Sequence, residues 1–190
     1  MRRFRGNKKR VLAYIGLESS APDRVAYLQQ AVQMLKFINL IELLDCSSFY
    51  ETEPESDSKT GANKDKIWPV TAVTAIETAL SGDELLEVIR DIESRLNNVD
   101  KENGRNTKGE SENISLELLL FGNETLSTSY LTIPHPSLAT RASIIVPMLE
   151  LAPETVHPQL NKSLAQIHAD LPSLEQVLLY GTRKSELQDD

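Results

Sequence analysis

The sequence predicts an α+β fold, a mostly antiparallel sheet packed by helices, and three observations predict it. In NISLELLLF, Asn113, Ser115 and Glu117 alternate with Ile114, Leu116 and Leu118, the period of a strand with one wet and one buried side. Elsewhere apolar residues recur at helical spacing: Val25, Leu28, Val32 and Leu35 in one stretch, Leu85, Ile89, Ile92 and Leu96 in another. Strand-like and helix-like segments then follow one another as βαββαβ, with more helix after them.

VLAYIG (11–16) reads as a short buried strand ended by Gly16, and Pro22 suits the first turn of the helix that follows. LIELLDCSSFYETE (40–53) is strand-like, and the polar 54–67 stretch after it reads as a long loop. WPVTAVTAIET (68–78) alternates and carries β-branched residues, so it is a strand. Ser81 and Glu84 have the spacing of a capping box and open the second helix. From Asn97 to Glu112 no apolar period survives, which predicts a mobile loop. Strand ISLELLLFG (114–122), a Gly-Asn turn, an extended YLTIPHP, a helix from near Ser137 and a last helical stretch NKSLAQIHADL complete the pass. The order fits a ferredoxin-like βαββαβ sandwich with helices on one face and C-terminal helices appended. The 54–67 and 97–112 loops are the natural places for a substrate gate.

A chain of 190 residues supports one hydrophobic core. We expect a basic arm over 1–10, a single domain over 11–175 and a polar tail over 176–190. MRRFRGNKKR holds six of the twenty basic residues, yet the net charge is -8, so the remainder is strongly acidic. Phosphate-backbone affinity needs clustered Lys and Arg, so the acidic body argues against specific nucleic-acid binding, and the arm reads as a solvated leader. No apolar run approaches the roughly 18 residues of a membrane span, and no signal-peptide apolar region follows the basic start. Cys46 is the only cysteine, which excludes an intrachain disulfide and predicts a buried, inert thiol in a reducing, cytoplasmic setting. His157 and His168 show no ligand spacing and read as structural or surface residues.

SSFYETEP, AIET, ELLEVIRDIE, LLLFGNETL, LTIPHP, Arg141 and MLELAPE, in this order, resemble the 6-hydroxymethyl-7,8-dihydropterin pyrophosphokinase family over residues 11 to about 170. The resemblance implies transfer of pyrophosphate from magnesium-bound ATP to the hydroxymethyl group of a dihydropterin. That chemistry needs two divalent ions clamping a polyphosphate, hence carboxylates whose oxygens converge. The family's Asp-Leu-Asp motif meets the need from one face of a strand.

Ser115, Leu116 and Glu117 stand at that motif, so one charge is lost and the other sits on a longer side chain. Asn113 shares the face and adds only a neutral oxygen. Where the family has Gly-Ser-Asn after its first strand, this chain has Gly16, Leu17 and Glu18. A pterin-reading Asn falls at Thr71 and a ring-stacking Phe at Ser143. The loop positions nearest the family's Arg and Trp residues are Asn98, Asp100, Gly109 and Glu112, leaving Arg105 and Lys108 as the basic candidates for catalysis. By the same resemblance Glu93, His135 and Arg141 hold the nucleotide, Thr52, Pro54 and Thr71 lie on the pterin side, and Glu117 with Ser115 remains for metal.

The expectation is a diverged family member whose transfer activity is absent or severely impaired and whose nucleotide binding persists. A working enzyme would need substitute ligands beside Glu117, such as Asn113, Glu110 or Glu112. A scaffold docking on a protein partner is the third reading.

Overall fold

The structure is a computed structural model, and it describes residues 9–52, 67–102, 113–172 and 176–182, with the side chains of 99–102 outside that set. Pro54, Arg105, Lys108, Gly109, Glu110 and Glu112 lie outside the described residues, and so do both expected loops apart from their edges. Strand β1 (Val11–Ser19) leads to α1 (Arg24–Lys36), β2 (Ile41–Cys46), β3 (Phe49–Thr52), β4 (Val70–Thr78) and α2 (Gly82–Glu102). Then come β5 (Ile114–Phe121), the short hairpin β6 (Leu126–Ser127) and β7 (Thr132–Ile133), a 3-10 turn at Pro136–Ala139, α3 (Ala142–Leu151), α4 (Leu164–Asp170) and β8 (Val177–Gly181). The main sheet has the order β5-β1-β4-β3-β8, with β2 also on β4, and all of its pairs are antiparallel.

Alternation along the central strands decides how the sheet is covered. Ala13, Ile15 and Leu17 of β1, with Val70, Ala72 and Ile76 of β4, face a core closed by Leu28, Val32 and Leu35 of α1 and Leu85, Ile89, Ile92 and Leu96 of α2. Tyr14, Val73 and Ala75 point the other way, against Ile144, Ile145 and Met148 of α3 and Leu164 and Ile167 of α4. Helices therefore cover both faces, which corrects the expectation of one helical face. A single face could not bury strands that are apolar on both sides.

Several boundaries differ from the sequence reading, among them the end of α2, which runs to Glu102 through the first residues of the expected 97–112 loop. β1 continues past Gly16 because Gly16, Leu17 and Glu18 pair with both β4 and β5. Pro22 precedes α1, which begins at Arg24. The 40–53 strand breaks at Ser47 and Ser48, and the exposed backbone is recovered by side chains. Ser47 Oγ accepts the Val73 N–H at 2.9 Å, while Glu150 of α3 accepts from Ser48 N at 2.7 Å and Ser48 Oγ at 2.9 Å. The helix expected from Ser137 is split into the 3-10 turn and α3, with Arg141 as the α3 N-cap residue. Burial, then the Glu150 carboxylate that accepts its hydroxyl at 3.2 Å, raises the Tyr50 phenol above its ordinary pKa.

At the C-terminal end, Val177–Gly181 is not a polar tail. It pairs with β3 and extends the sheet. At the other end Arg10 pairs with Glu42, so the arm meets the domain at its last residue. The expected capping box is present, with Ser81 N donating to Glu84 Oε2 at 2.7 Å and Glu84 N to Ser81 Oγ at 3.3 Å.

β5 is an outer strand, and its free edge is closed by α2. Asn97 Oδ1 accepts the Ile114 N–H at 3.1 Å, Asn97 Nδ2 donates to Ile114 O at 3.0 Å, and Glu93 Oε1 accepts the Leu116 N–H at 3.0 Å. Two side chains one helical turn apart thus replace part of a missing neighbour strand. Asn97→Ala is expected to cost about 1–3 kcal/mol, the penalty for stranding a partly buried donor and acceptor, as read from urea unfolding.

His157 is buried and closes the turn before α4. Its Nδ1 accepts the N–H groups of Gln159 and Leu160, each at 3.3 Å, a role open only to the neutral ring. Burial, partly opposed by a backbone hydrogen bond, lowers its pKa. The unfolded chain therefore takes up this proton at a higher pH than the fold does. The resulting stabilisation is complete above the unfolded value of about 6.5 and is lost as pH falls toward the lower folded value. The urea midpoint should drop between about pH 7.5 and about pH 5, and His157→Asn, which keeps an acceptor without a titrating proton, should flatten that part of the profile.

Candidate functional site

Gly16 lies opposite Glu117 and Glu18 opposite Ser115 in the β1–β5 ladder. Residues two apart on a strand share a face, and directly paired residues share it too, so these four project together. Leu17 and Leu116 go the other way into the α1/α2 core. Leu119 and Ile144 pack closely over Gly16, where an added Cβ would sit 3.3 Å from Leu119 and 3.5 Å from Ile144.

Above the patch stands the start of α3. Arg141 donates from Nη2 to Glu18 Oε2 at 2.9 Å, with both side chains largely covered. Gly16, Leu17, Glu18, Ser115, Glu117, Arg141 and Ile144 line a small cavity of about 30 Å³, large enough to hold water.

The 3-10 turn places His135 beside the same carboxylates. Its Nδ1 accepts the Ser137 N–H at 3.4 Å and lies 3.4 Å from Glu117 Oε2. A ring nitrogen that accepts the Ser137 N–H has no proton left for Glu117. Glu117 Oε2 is buried and has no hydrogen-bond partner among the described residues. An anionic oxygen so placed carries a desolvation cost that a cation or donor would offset.

That oxygen, the Glu18 carboxylate and the Ser115 hydroxyl form a hard-oxygen donor set, which suits magnesium better than a softer ion. Among the described residues no three His, Cys, Asp or Glu side chains gather as a metal cage. The patch therefore fits a cation that takes one or two carboxylates from the protein and completes its shell with substrate phosphate and water.

The structure thus brings together Ser115, Glu117, His135 and Arg141 of the residues the sequence singled out. Glu93 lies at the β5 edge, where its Oε1 accepts the Leu116 N–H at 3.0 Å. Thr71 and Ser143 meet each other instead of a cleft. Both are fully buried, and Thr71 Oγ1 donates to Ser143 O at 3.2 Å. Thr52 is also buried, its N–H donating to Pro69 O at 3.0 Å. The backbone carbonyl of Asn113 accepts from Ser19 Oγ at 2.6 Å.

Glu18 is the site residue that sequence reasoning missed. Ending β1 at Gly16 hid it, whereas continuing the strand by two residues would have put Glu18 on the face of Gly16. A larger hollow of about 420 Å³ is lined by Arg24, Glu51, Ile67, Trp68 and Leu178, but Arg24 donates to Glu51 at 2.7 Å and the two charges satisfy one another.

Comparison with known proteins bears on the family and the fold. A family model described as 7,8-dihydro-6-hydroxymethylpterin-pyrophosphokinase (HPPK) matches residues 14–153. The 2-amino-4-hydroxy-6-hydroxymethyldihydropteridine pyrophosphokinase of Bacillus subtilis is 31% identical over 140 residues, covering 74% of this chain and 77% of that protein. The folic acid synthesis protein fol1 of Schizosaccharomyces pombe is 31% identical over 165 residues, which are 87% of this chain but only 21% of that protein. Among solved structures, Plasmodium falciparum HPPK-DHPS superposes with a TM-score of 0.63 at 14% identity, covering 85% of this chain and 44% of that one. At that identity the likeness speaks to the fold alone.

Proposed function

Because the chain belongs to the 7,8-dihydro-6-hydroxymethylpterin-pyrophosphokinase family of folate biosynthesis, we propose that it binds ATP with magnesium at the Glu117–Arg141 patch and transfers pyrophosphate to a hydroxymethyldihydropterin only at a severely reduced rate. One observation carries the reading. The positions that would read and stack the pterin, Thr71 and Ser143, are wholly buried and joined by their own hydrogen bond. A pterin would gain no exposed donor or ring face from either.

The nucleotide side keeps its chemistry. Arg141, at the start of a ten-residue helix, combines a guanidinium with the positive end of the helix dipole, a pairing that favours phosphate. His135 would donate to a phosphate oxygen from its other ring nitrogen. Glu117 and Ser115 would hold magnesium, which when bound neutralises polyphosphate charge. The strand order, with β5 beside β1, β1 beside β4 and β4 beside β2 and β3, supports the ferredoxin-like reading of the 11–175 core. A cytoplasmic setting suits the buried Cys46 thiol, and no described helix is long and apolar enough to cross a membrane.

The size of the expected loss follows from what is missing. Removing one preorganised charge-stabilising group costs roughly 3–4 kcal/mol of transition-state stabilisation. Losses at one site do not add simply, yet the family's carboxylate at Ser115 and its pterin contacts are changed together, so a combined reduction of at least about 10⁴ is expected. Restoring both acids, Ser115→Asp with Glu117→Asp, should strengthen magnesium-dependent binding of a non-hydrolysable ATP analogue. Unchanged affinity in that variant would remove the metal from the account.

A further inference from the structure

We propose that Glu18 replaces the carboxylate absent at Ser115, and that Arg141 keeps Glu18 in reserve until a polyphosphate draws the guanidinium away. The proposal rests on the nucleotide-binding reading above and adds to it the source of the second acid. Glu18 is the Cα partner of Ser115, on the same face and across a single strand spacing, so a negative charge removed from β5 is returned from β1. Glu117 is two residues from Ser115 on that face, and its buried Oε2 has no hydrogen-bond partner among the described residues. The two carboxylates share one small cavity with Arg141.

The Glu18–Arg141 contact is what makes the two ligands interdependent. One guanidinium edge donates to Glu18 Oε2 at 2.9 Å, where a phosphate would compete for the same fork of N–H groups. Once the guanidinium turns to phosphate, Glu18 loses its counter-charge in a partly desolvated cavity and becomes a ligand for a cation. The exchange conserves charge, since Arg141 passes from carboxylate to phosphate and Glu18 passes from guanidinium to metal. Nucleotide and magnesium should therefore each raise the other's affinity by the same factor, as linkage requires.

Glu18→Gln separates this role from a structural one because its effects have opposite signs. Calorimetry with α,β-methylene ATP in EDTA should show tighter binding than wild type, since the Glu18 carboxylate no longer competes with phosphate for Arg141. With saturating magnesium the same variant should bind more weakly, so the magnesium enhancement collapses by about tenfold or more, the factor set by ~1.4 kcal/mol. A variant that weakens both measurements, or changes neither, overturns the assignment. Arg141→Gln supplies an independent reading: free-Mn²⁺ titration by electron paramagnetic resonance on the nucleotide-free chain should show higher Mn²⁺ affinity than wild type. Equal or lower affinity also overturns it. If wild type gives no nucleotide heat with or without magnesium, the underlying binding reading is wrong; if it binds and Glu18→Gln behaves like wild type, only the role of Glu18 is.

Discussion

Supplied with magnesium, ATP and 6-hydroxymethyl-7,8-dihydropterin, the chain should release AMP at least about 10⁴ times more slowly than the Bacillus subtilis relative assayed beside it. The expectation comes from both reactants. On the nucleotide side a neutral Ser115 hydroxyl stands where the resemblance places an acid. On the pterin side Thr71 donates to the Ser143 carbonyl, so the acceptor's ring meets no polar reader from β4 and no aromatic plate from α3. Binding energy from the non-reacting part of a substrate is what aligns its reacting oxygen, and losing it lowers the rate of transfer as well as affinity. Quenched-flow or coupled AMP detection reads the result directly, and a rate within tenfold of the relative's, about 1.4 kcal/mol in barrier, would show that the buried pair opens for substrate.

Ile89→Ala should give the largest loss of stability. Ile89 is fully buried on the inner face of α2 and belongs to the cluster that joins α1, α2 and the sheet. Truncating such a side chain removes its transfer free energy and leaves a cavity that close-packed neighbours only partly fill, typically a loss of about 2–5 kcal/mol. For a domain of this size that is roughly 5–15 °C in melting temperature, measurable by circular dichroism. A shift below about 2 °C would mean that α2 is not anchored through this face.

Much of this fold was legible because burial writes periods into sequence. The Leu85, Ile89, Ile92, Leu96 stripe gave α2 its inner face, and the Ser81/Glu84 spacing gave its start. What stayed hidden was decided by contacts distant in the chain. Nothing local to Asn97 reveals that its amide bonds Ile114, seventeen residues on, and so its polarity read as loop when it lies within a helix. The break at Ser47 and Ser48 depends on Glu150, a residue 102 positions beyond Ser48, and β8 depends on β3 offering an open edge. Helical cover on the second face was written in the strands, since Tyr14, Val73 and Ala75 are apolar where a wet face would be polar.

Of the residues the resemblance singled out, Ser115, Glu117, His135 and Arg141 lie near one another, and Glu18, read as a departure from the family, shares the strand face of Ser115. Conversely Glu93 is bonded to the β5 edge, and Thr71 and Ser143 to each other. Which side chains a strand brings together is a property of register, and register becomes visible only when both strands are in place.

The central claim is that the nucleotide half of the site persists while the pterin half is closed. Calorimetric titration of the full chain with α,β-methylene ATP and magnesium, followed by titration of the nucleotide-saturated protein with 6-hydroxymethyl-7,8-dihydropterin, tests both halves in one sample. The account predicts magnesium-dependent heat from the nucleotide and none from the pterin. Saturable pterin binding to the loaded protein, or silence toward the nucleotide, would contradict it.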